Sequence, residues 1–407
     1  LQLGQFYADG IEIPQDYAEA AQWYRLAARQ GLPQAQVDLG HLYRAGQGVT
    51  QDYDEAFSWY FKAAEQNYAA AQFYIGQLCR AGQGVPQDNT EAANWYRLAA
   101  EQGYANAQIN LGHLYHRGQG VSQSYKEALH WYRLAAEQGH AIAQISLGNL
   151  YHKGHGVPQN HQEAIKWYRL AAEQGDRNAL TNLGVMYSQG TGVPQDYREA
   201  VKWYRLAADQ GHATAQMSLG VLYSQGAADL PQDHKEALRW YRLAADQGHA
   251  TAAFNLGNLY ADGSGIPQDY KAAVKWYRKA ADQGHSSAQN SLGNRYRQGQ
   301  GVPQDYKEAV KWYRLAADQG DVYAQNNLGM IYYLGEGMPQ DYVQACLWFL
   351  LAAAKGNKNA IKAYGNIAKK MTEEQLIQAQ ELAQRWKPTG PPSPLTPLSH
   401  KGRGERK

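Results

Sequence analysis

Ten tryptophans set the frame for this chain. Trp23, Trp59, Trp95, Trp131, Trp167 and Trp203 stand 36 residues apart, Trp240 follows after 37, and Trp276, Trp312 and Trp348 resume the interval of 36. A fixed period of this size marks a supersecondary unit copied in tandem, and missing it would misassign the whole fold. Length alone, 407 residues at about 150 per globular domain, would suggest two or three domains. The period replaces that expectation with ten copies of one unit. The same copying explains 41 Gly, 31 Tyr and 11 Trp against only 6 Phe, because a few positions are written ten times.

The unit from Gly139 to Gly175 is representative. From His140 to Lys153, the residues Ala143, Leu147, Leu150 and Tyr151 recur at i, i+4, i+7 and i+8, the apolar stripe of an amphipathic helix, here helix A. Gly154, His155, Gly156, Val157 and Pro158 then break it, since glycine accepts positive φ and proline cannot continue a helix. A second helix, B, starts after Asp16, Asp52, Asp88, Ser124, Asn160, Asp196, Asp233, Asp269, Asp305 and Asp341, all N-capping types. In eight of the ten a Glu follows three residues later, as a capping box requires, and Ala272 and Gln344 are the exceptions. Helix B carries Glu-Ala-x-x-Trp-Tyr-Arg-Leu-Ala-Ala and stops at a Gly such as Gly211 or Gly320. Arg97 with Glu101 and Arg205 with Asp209 are expected to pair at i, i+4 on its outer side.

A two-helix unit cannot bury its own apolar face, so it must stack on its neighbours into one continuous core, an α-solenoid. The one interval of 37 fits this reading. The segment from Gly226 through Asp229 and Leu230 to Pro231 adds its extra residue between helices A and B, where an insertion costs little.

Several function classes fall away on composition. Thirty-nine Lys and Arg oppose 37 Asp and Glu, a net charge of +2 that gives no global field for gathering nucleic acid. Cys79 and Cys346 are too few and too distant for a disulfide framework. No apolar run reaches the length of a membrane span, so no membrane insertion is expected. The start at Leu1, without a leader, hides the compartment of the chain.

The recurring Ala-x-x-x-Leu-Gly-x-Leu-Tyr-x-x-Gly-x-Gly-Val-x-x-Asp-x-x-Glu-Ala-x-x-Trp-Tyr-x-x-Ala-Ala pattern, over residues 1 to about 371, resembles the Sel1-like repeats, relatives of the tetratricopeptide repeats. Leu111, Gly112 and Tyr115 also fit the Leu-Gly-x-x-Tyr core of the latter. The resemblance implies an all-α, right-handed α/α superhelical solenoid of about ten 36-residue helix-turn-helix repeats, with A helices lining the concave side. It also implies an adaptor that binds other proteins. One secreted branch of that family pairs cysteines within each repeat; this chain lacks them, so the properties of that branch are not carried over.

Comparing the units with one another locates a candidate surface. In helix A the Ala column from Ala35 to Ala324 never varies, whereas Gln34, Val37, Asp38, His41 and Ala45 mark columns that do, and their offsets share one helical face. Its middle reads Asp38, Tyr74, Asn110, Ser146, Asn182, Ser218, Asn255, Ser291 and Asn327. One turn along come His41, Gln77, His113, Asn149, Val185, Val221, Asn258, Asn294 and Met330. Asn offers a donor and an acceptor together, as an extended peptide backbone requires. The expected partner site is therefore a polar ladder in a concave groove, with Phe73, Tyr74, Ile109, Ile145, Phe254 and Tyr323 as apolar contact points.

Other constellations read as structural. His113 and His116 stand at i, i+3, but no Cys or paired carboxylate completes a metal site. The Trp-Tyr pairs recur at core spacing, and the Gly-x-Gly loops lack a third Gly, a Walker Lys and a preceding strand. No catalytic motif is found, so neither enzyme activity, a cofactor nor a metal is expected. At the C-terminal side, residues 357–371 form an eleventh helix A, and Thr372 with Gln375 opens a capping helix over 372–386. Residues 387–407 hold five prolines and five basic residues against Glu405 and are expected to be a disordered tail.

The function expected is a non-catalytic scaffold for protein or peptide partners, a monomer rather than an oligomer. Two alternatives come from other classes: an accessory subunit that assembles end to end or docks an enzyme on its convex B-helix side, and a glycan-binding envelope protein.

Overall fold

In a computed structural model of the chain, residues 1–10, 14–227 and 229–389 are described. They divide into two compact units, Leu1–Gln195 and the segment from Asp196 onward. The first contains α1 (Gln2–Asp9), α2 (Tyr17–Arg29), α3 (Pro33–Ala45), α4 (Tyr53–Ala64), α5 (Ala69–Ala81), α6 (Asn89–Glu101), α7 (Ala105–Arg117), α8 (Tyr125–Glu137), α9 (Ala141–Lys153), α10 (His161–Glu173) and α11 (Arg177–Gln189). The second contains α12 (Tyr197–Asp209), α13 (Ala213–Gln225), α14 (His234–Asp246), α15 (Ala250–Asp262), α16 (Tyr270–Ala281), α17 (Ser286–Gln298), α18 (Tyr306–Asp318), α19 (Val322–Leu334), α20 (Tyr342–Ala354), α21 (Lys358–Ala368) and α22 (Glu373–Arg385). Odd-numbered helices through α21 are A helices and even-numbered helices through α20 are B helices; within each unit each of these helices packs on its sequence neighbour. The described residues form no strand, and the all-α solenoid read from the period is what the chain builds.

Each A–B loop is capped from both sides. All ten expected N-cap residues accept from the first backbone amides of their B helix, as Asp88 Oδ1 does from Thr90 and Glu91 at 2.7 and 3.1 Å. The preceding Gln does the opposite task. Gln15, Gln51, Gln87 and their equivalents donate from Nε2 to a carbonyl near the end of the A helix, at 2.5–3.0 Å in all ten loops. The Gly-x-Gly loops are turns with a packing duty. Gly84 has φ of 69°, and a Cβ there would lie 2.7 Å from the backbone of Tyr53 in the previous repeat. In the longer loop Asp229 takes over this place, accepting through Oδ2 from the amides of Tyr197 and Arg198 at 2.9 and 3.3 Å.

Two local expectations are corrected. The Glu three residues after each B-helix cap does not close a capping box; among the described residues that box forms at Thr372 and Gln375, opening α22. Glu308 instead accepts from Lys311 and Trp312, each at 3.2 Å. The expected pairs of Arg97 and Arg205 with acids one turn on also give way. Both guanidinium groups reach the tyrosine 18 residues later, Tyr115 at 3.0 Å and Tyr223 at 3.2 Å. Arg25, Arg133, Arg169 and Arg278 do the same to Tyr43, Tyr151, Tyr187 and Tyr296. A phenol on the next A helix is a better-ordered acceptor than a solvated carboxylate, whose attraction water screens.

The interior rests on one recurring contact. The tyrosine of each Trp-Tyr pair is buried, and eight of these rings lie on the glycine of their A helix, with Phe349 in the same place on Gly329. A Cβ at Gly4, Gly40, Gly76, Gly112 or Gly148, or at Gly220, Gly257, Gly293 or Gly329, would stand 2.4–2.7 Å from the tyrosine ring it faces, or from the Phe349 ring at Gly329. Repeats are tied together by buried glutamines. Gln108 donates to the carbonyl of Ala100 at 3.1 Å in the previous B helix and accepts from Gln138 at 2.9 Å in the next. Gln36, Gln144, Gln216 and Gln289 repeat both bonds. Since an unpaired buried amide costs about 1–3 kcal/mol, these bonds hold the stacking register.

Beyond α21, α22 packs on α20, and Trp386 meets Trp348 edge to face at 6.4 Å. Thr389 donates its backbone N–H to the carbonyl of Asp318 at 2.8 Å, and residues 390–407 of the expected tail lie outside the described residues.

Candidate partner-binding site

The variable A-helix columns fall in both units, which are taken in turn. In the first unit Tyr74 on α5, Asn110 and His113 on α7, Ser146 and Asn149 on α9, and Asn182 on α11 are all half-buried. In the second, Ser218 on α13, Asn255 and Asn258 on α15, Ser291 and Asn294 on α17, and Asn327 on α19 are half-buried as well. The periodic core holds these positions at constant register, so each unit carries a row of polar side chains on successive A helices.

Much of the row is engaged with the protein itself. Asn149 Oδ1 accepts from the buried Tyr168 hydroxyl at 2.7 Å, and Asn258 and Asn294 do the same for Tyr277 and Tyr313 at 2.8 and 2.7 Å. His41 shares a 2.7 Å hydrogen bond with Tyr60. Ser146 donates to the carbonyl of Ile142 in its own helix at 2.8 Å. Asn110 and Ser218 donate to carbonyls one turn back in their own helices, and Asn327 donates to Asn290 at 2.9 Å. One purpose of the columns is therefore internal: they satisfy hydroxyls that burial would otherwise leave without a partner. Phe349 and Met330 are the apolar version of the pair. Where the ring loses its hydroxyl, the facing position loses its acceptor, and both join one apolar cluster.

The apolar contact points also divide. Phe73 and Ile109, expected on the face, are only 5% and 7% exposed. The register of α5 turns Phe73 inward within its own repeat, where it packs on Tyr74, on Tyr96 of α6 and on Tyr104 just before α7, with ring centres 5.2–5.7 Å apart. Ile145 and Phe254 are half-buried, and Tyr323 is 70% exposed.

Burial tunes the titratable groups of the face. It is the main cause that lowers the pKa of His41 to about 4, with Arg44 adding to it, and it lowers His113 too. Neutral imidazole is thus the form His41 brings to Tyr60 near neutral pH. Both cysteines are buried thiols, pushed up to about 11 by burial. The histidine pair considered for a metal separates into two ring contacts, His113 on Tyr132 and His116 on Tyr125. Among the described residues, no group of three His, Cys, Asp or Glu side chains converges as a metal site. No described helix is long and apolar enough to cross a membrane.

Two-helix repeats, capped at every loop and glued by buried glutamines, define a repeat solenoid of the interaction-module class. The chain belongs to the Sel1 repeat family, whose pattern matches ten segments in succession from residues 1–32 to 322–357. It is similar to a protective antigen (c5321) of uropathogenic Escherichia coli strains with the same kind of fold. Identity is 38%, coverage is 100% of this chain and 88% of that one, and the TM-score is 0.79. It is also similar to a Sel1 repeat protein from Oxalobacter formigenes, at 33% identity, covering 76% of this chain and 89% of that one with a TM-score of 0.63. No match is found among curated proteins. Sel1 repeat proteins generally mediate protein–protein interaction, and their solenoid fold is typically non-catalytic.

Proposed function

We propose that this chain is a non-catalytic scaffold that holds a protein or peptide partner along the A-helix face of each unit, the concave side of the solenoid. One observation carries the reading. Asn149, Asn258 and Asn294 have their oxygens held by buried tyrosines, which fixes each carboxamide and leaves N–H groups as its remaining chemistry. A row of pre-oriented donors loses little entropy on meeting the carbonyls of an extended chain.

The test is capture of partners from source cells, identified by mass spectrometry and then measured as purified pairs. Asn182→Ala combined with Asn255→Ala is expected to weaken capture at least fivefold while the helical circular dichroism is retained. Unchanged capture by a folded double variant would remove the face from the account. A second reading, docking on the B-helix side, draws on exposed leucines: Leu26, Leu98 and Leu170 in the first unit, and Leu206 and Leu243 in the second, are 37–53% exposed. Loss of capture on Leu98→Ser with Leu170→Ser, with the Asn variant unaffected, would favour that side.

A further inference from the structure

In the first unit one tyrosine of the buried column has no hydrogen-bond partner. Tyr96 is 0% exposed, and its hydroxyl is an orphan. Its A-helix counterpart is Gln77, which stands where Asn149 stands in the repeat of Tyr168. Gln77 is drawn away by Arg44, whose Nη1 donates to Gln77 Oε1 at 3.0 Å. Tyr96 is one of the residues around a cavity of about 220 Å³ whose polar lining also includes Arg44, Gln77, Arg80, Gln83 and Asn110, contributed by α3, α5, α6, α7 and the α5–α6 loop. This space is large enough for several waters. Two guanidinium groups border it and no carboxylate does. Arg80 reaches Asn110 Oδ1 at 3.5 Å, and the Arg44 guanidinium lies 5.4 Å above the Tyr74 ring.

Cations in the last turn of α3 and α5 suit the helix dipole, which alone would account for the two arginines. It does not account for Tyr96. Five other tyrosines of the column, at 60, 168, 241, 277 and 313, have partners. An unpaired buried hydroxyl costs about 1–3 kcal/mol, and a ligand that accepts from it recovers that cost. Burial pushes its pKa up to about 12 against the opposing pull of Arg80, so it remains a donor. The lining is thus rich in fixed donors with a charge of two plus, the complement of a planar, two-oxygen anion.

We propose that this pocket binds a carboxylate of the partner peptide, with Arg44 and Arg80 clasping its oxygens and Tyr96 donating the third hydrogen bond. The proposal rests on the A-helix face being the partner surface and gives that face its anchor. Both sources of the group, a chain terminus and an acidic side chain, share this chemistry.

The experiment follows the arginine Nε–H resonances of the full chain by NMR, assigned through Arg44→Gln and Arg80→Gln. Three probes are added: N-acetyl-trialanine with a free C-terminal carboxylate, its C-terminal amide carrying one Glu side chain, and inorganic phosphate. The all-alanine amide is the blank. Saturable shifts at Arg44 and Arg80 are expected with one or both carboxylate probes and none with the blank. Which carboxylate binds more tightly tells terminus from side chain. Tyr96→Phe should weaken binding about tenfold with the melting temperature held or raised, because its hydroxyl has no partner to lose. No saturable shift with either carboxylate, an unchanged affinity in Tyr96→Phe, or phosphate binding more tightly than both peptides would overturn the proposal. Probe binding together with unchanged capture by the Asn182 and Asn255 variant sinks the face alone. Weakened capture without probe binding sinks the pocket alone.

Discussion

Two repeats of the first unit, residues 69–104 and 141–176, share a backbone plan and differ in how they treat the same buried hydroxyl. In the second of them Tyr168 lies on Gly148 and donates to Asn149. In the first, Tyr96 lies on Gly76 in the same way, yet its hydroxyl finds no partner because Gln77 has turned to Arg44. The ring contact is therefore the fixed part of the repeat and the hydroxyl partner is the adjustable part. A solenoid can change one side chain per repeat along its A helices without disturbing the stack, and that is where it gains individuality.

A third repeat, residues 33–68, breaks the comparison hardest, because there the partner is titratable. His41 faces the Tyr60 hydroxyl, the Tyr74 ring at 4.3 Å and the Arg44 guanidinium, and its folded-state pKa is about 4. The unfolded chain protonates it near 6.5, so between about pH 6.5 and pH 4 the unfolded state binds more protons. Stability that is complete above about pH 6.5 is lost as pH falls through that window, by up to about 3 kcal/mol. His41→Asn, which installs the partner used at Asn149, should flatten the dependence of melting temperature on pH. The slope persists in part, since burial also lowers His113, His116 and His152. An unchanged profile between pH 7 and pH 4 would contradict burial of the His41 ring.

The ring contact predicts the next effect, equal in both repeats. Ala in place of Gly at a helix interior ordinarily stabilises by about 1 kcal/mol. Here the new Cβ would sit 2.7 Å from the ring of Tyr96 or Tyr168, and the ring must move. Gly76→Ala and Gly148→Ala should each destabilise by about 2 kcal/mol in urea titrations, the cost of overpacking. Stabilisation of either would contradict the flat contact.

Much of this was legible in the sequence. The Trp interval, the ten B-helix caps and the paired glycines predicted the helices and loops, because each signal is local. The partner of a polar side chain is not local. Asn149 and Tyr168 meet 19 residues apart on different helices, and a column of Asn reads alike whether it faces a peptide or a phenol. For the same reason the buried column of Gln36, Gln72, Gln108 and Gln144 escaped notice, although its repetition was visible. Arg97 offered a nearby acid in Glu101, but stacking supplies Tyr115, a closer and drier acceptor. Periodicity alone places Phe73 on the open face, whereas Tyr96 of α6 and Tyr104 cover that edge of α5.

The smallest effect separates the two repeats most cleanly. Tyr168→Phe removes the donor that Asn149 accepts from and leaves the carboxamide oxygen half-buried without it, which costs about 1 kcal/mol. Tyr96→Phe removes a hydroxyl with no partner, so its buried polar penalty disappears and stability should hold or rise by a few tenths of a kcal/mol. Phe349, already without the hydroxyl and facing Met330, shows that the fold accepts the apolar ring. Parallel urea titrations of the two variants therefore read the sign of one oxygen atom in two environments. If both lose stability alike, the Tyr96 hydroxyl has a structural partner inside the repeat. If they diverge as expected, the Tyr96 hydroxyl has no partner inside the repeat, and the cavity beside Arg44 and Arg80 is where one can enter.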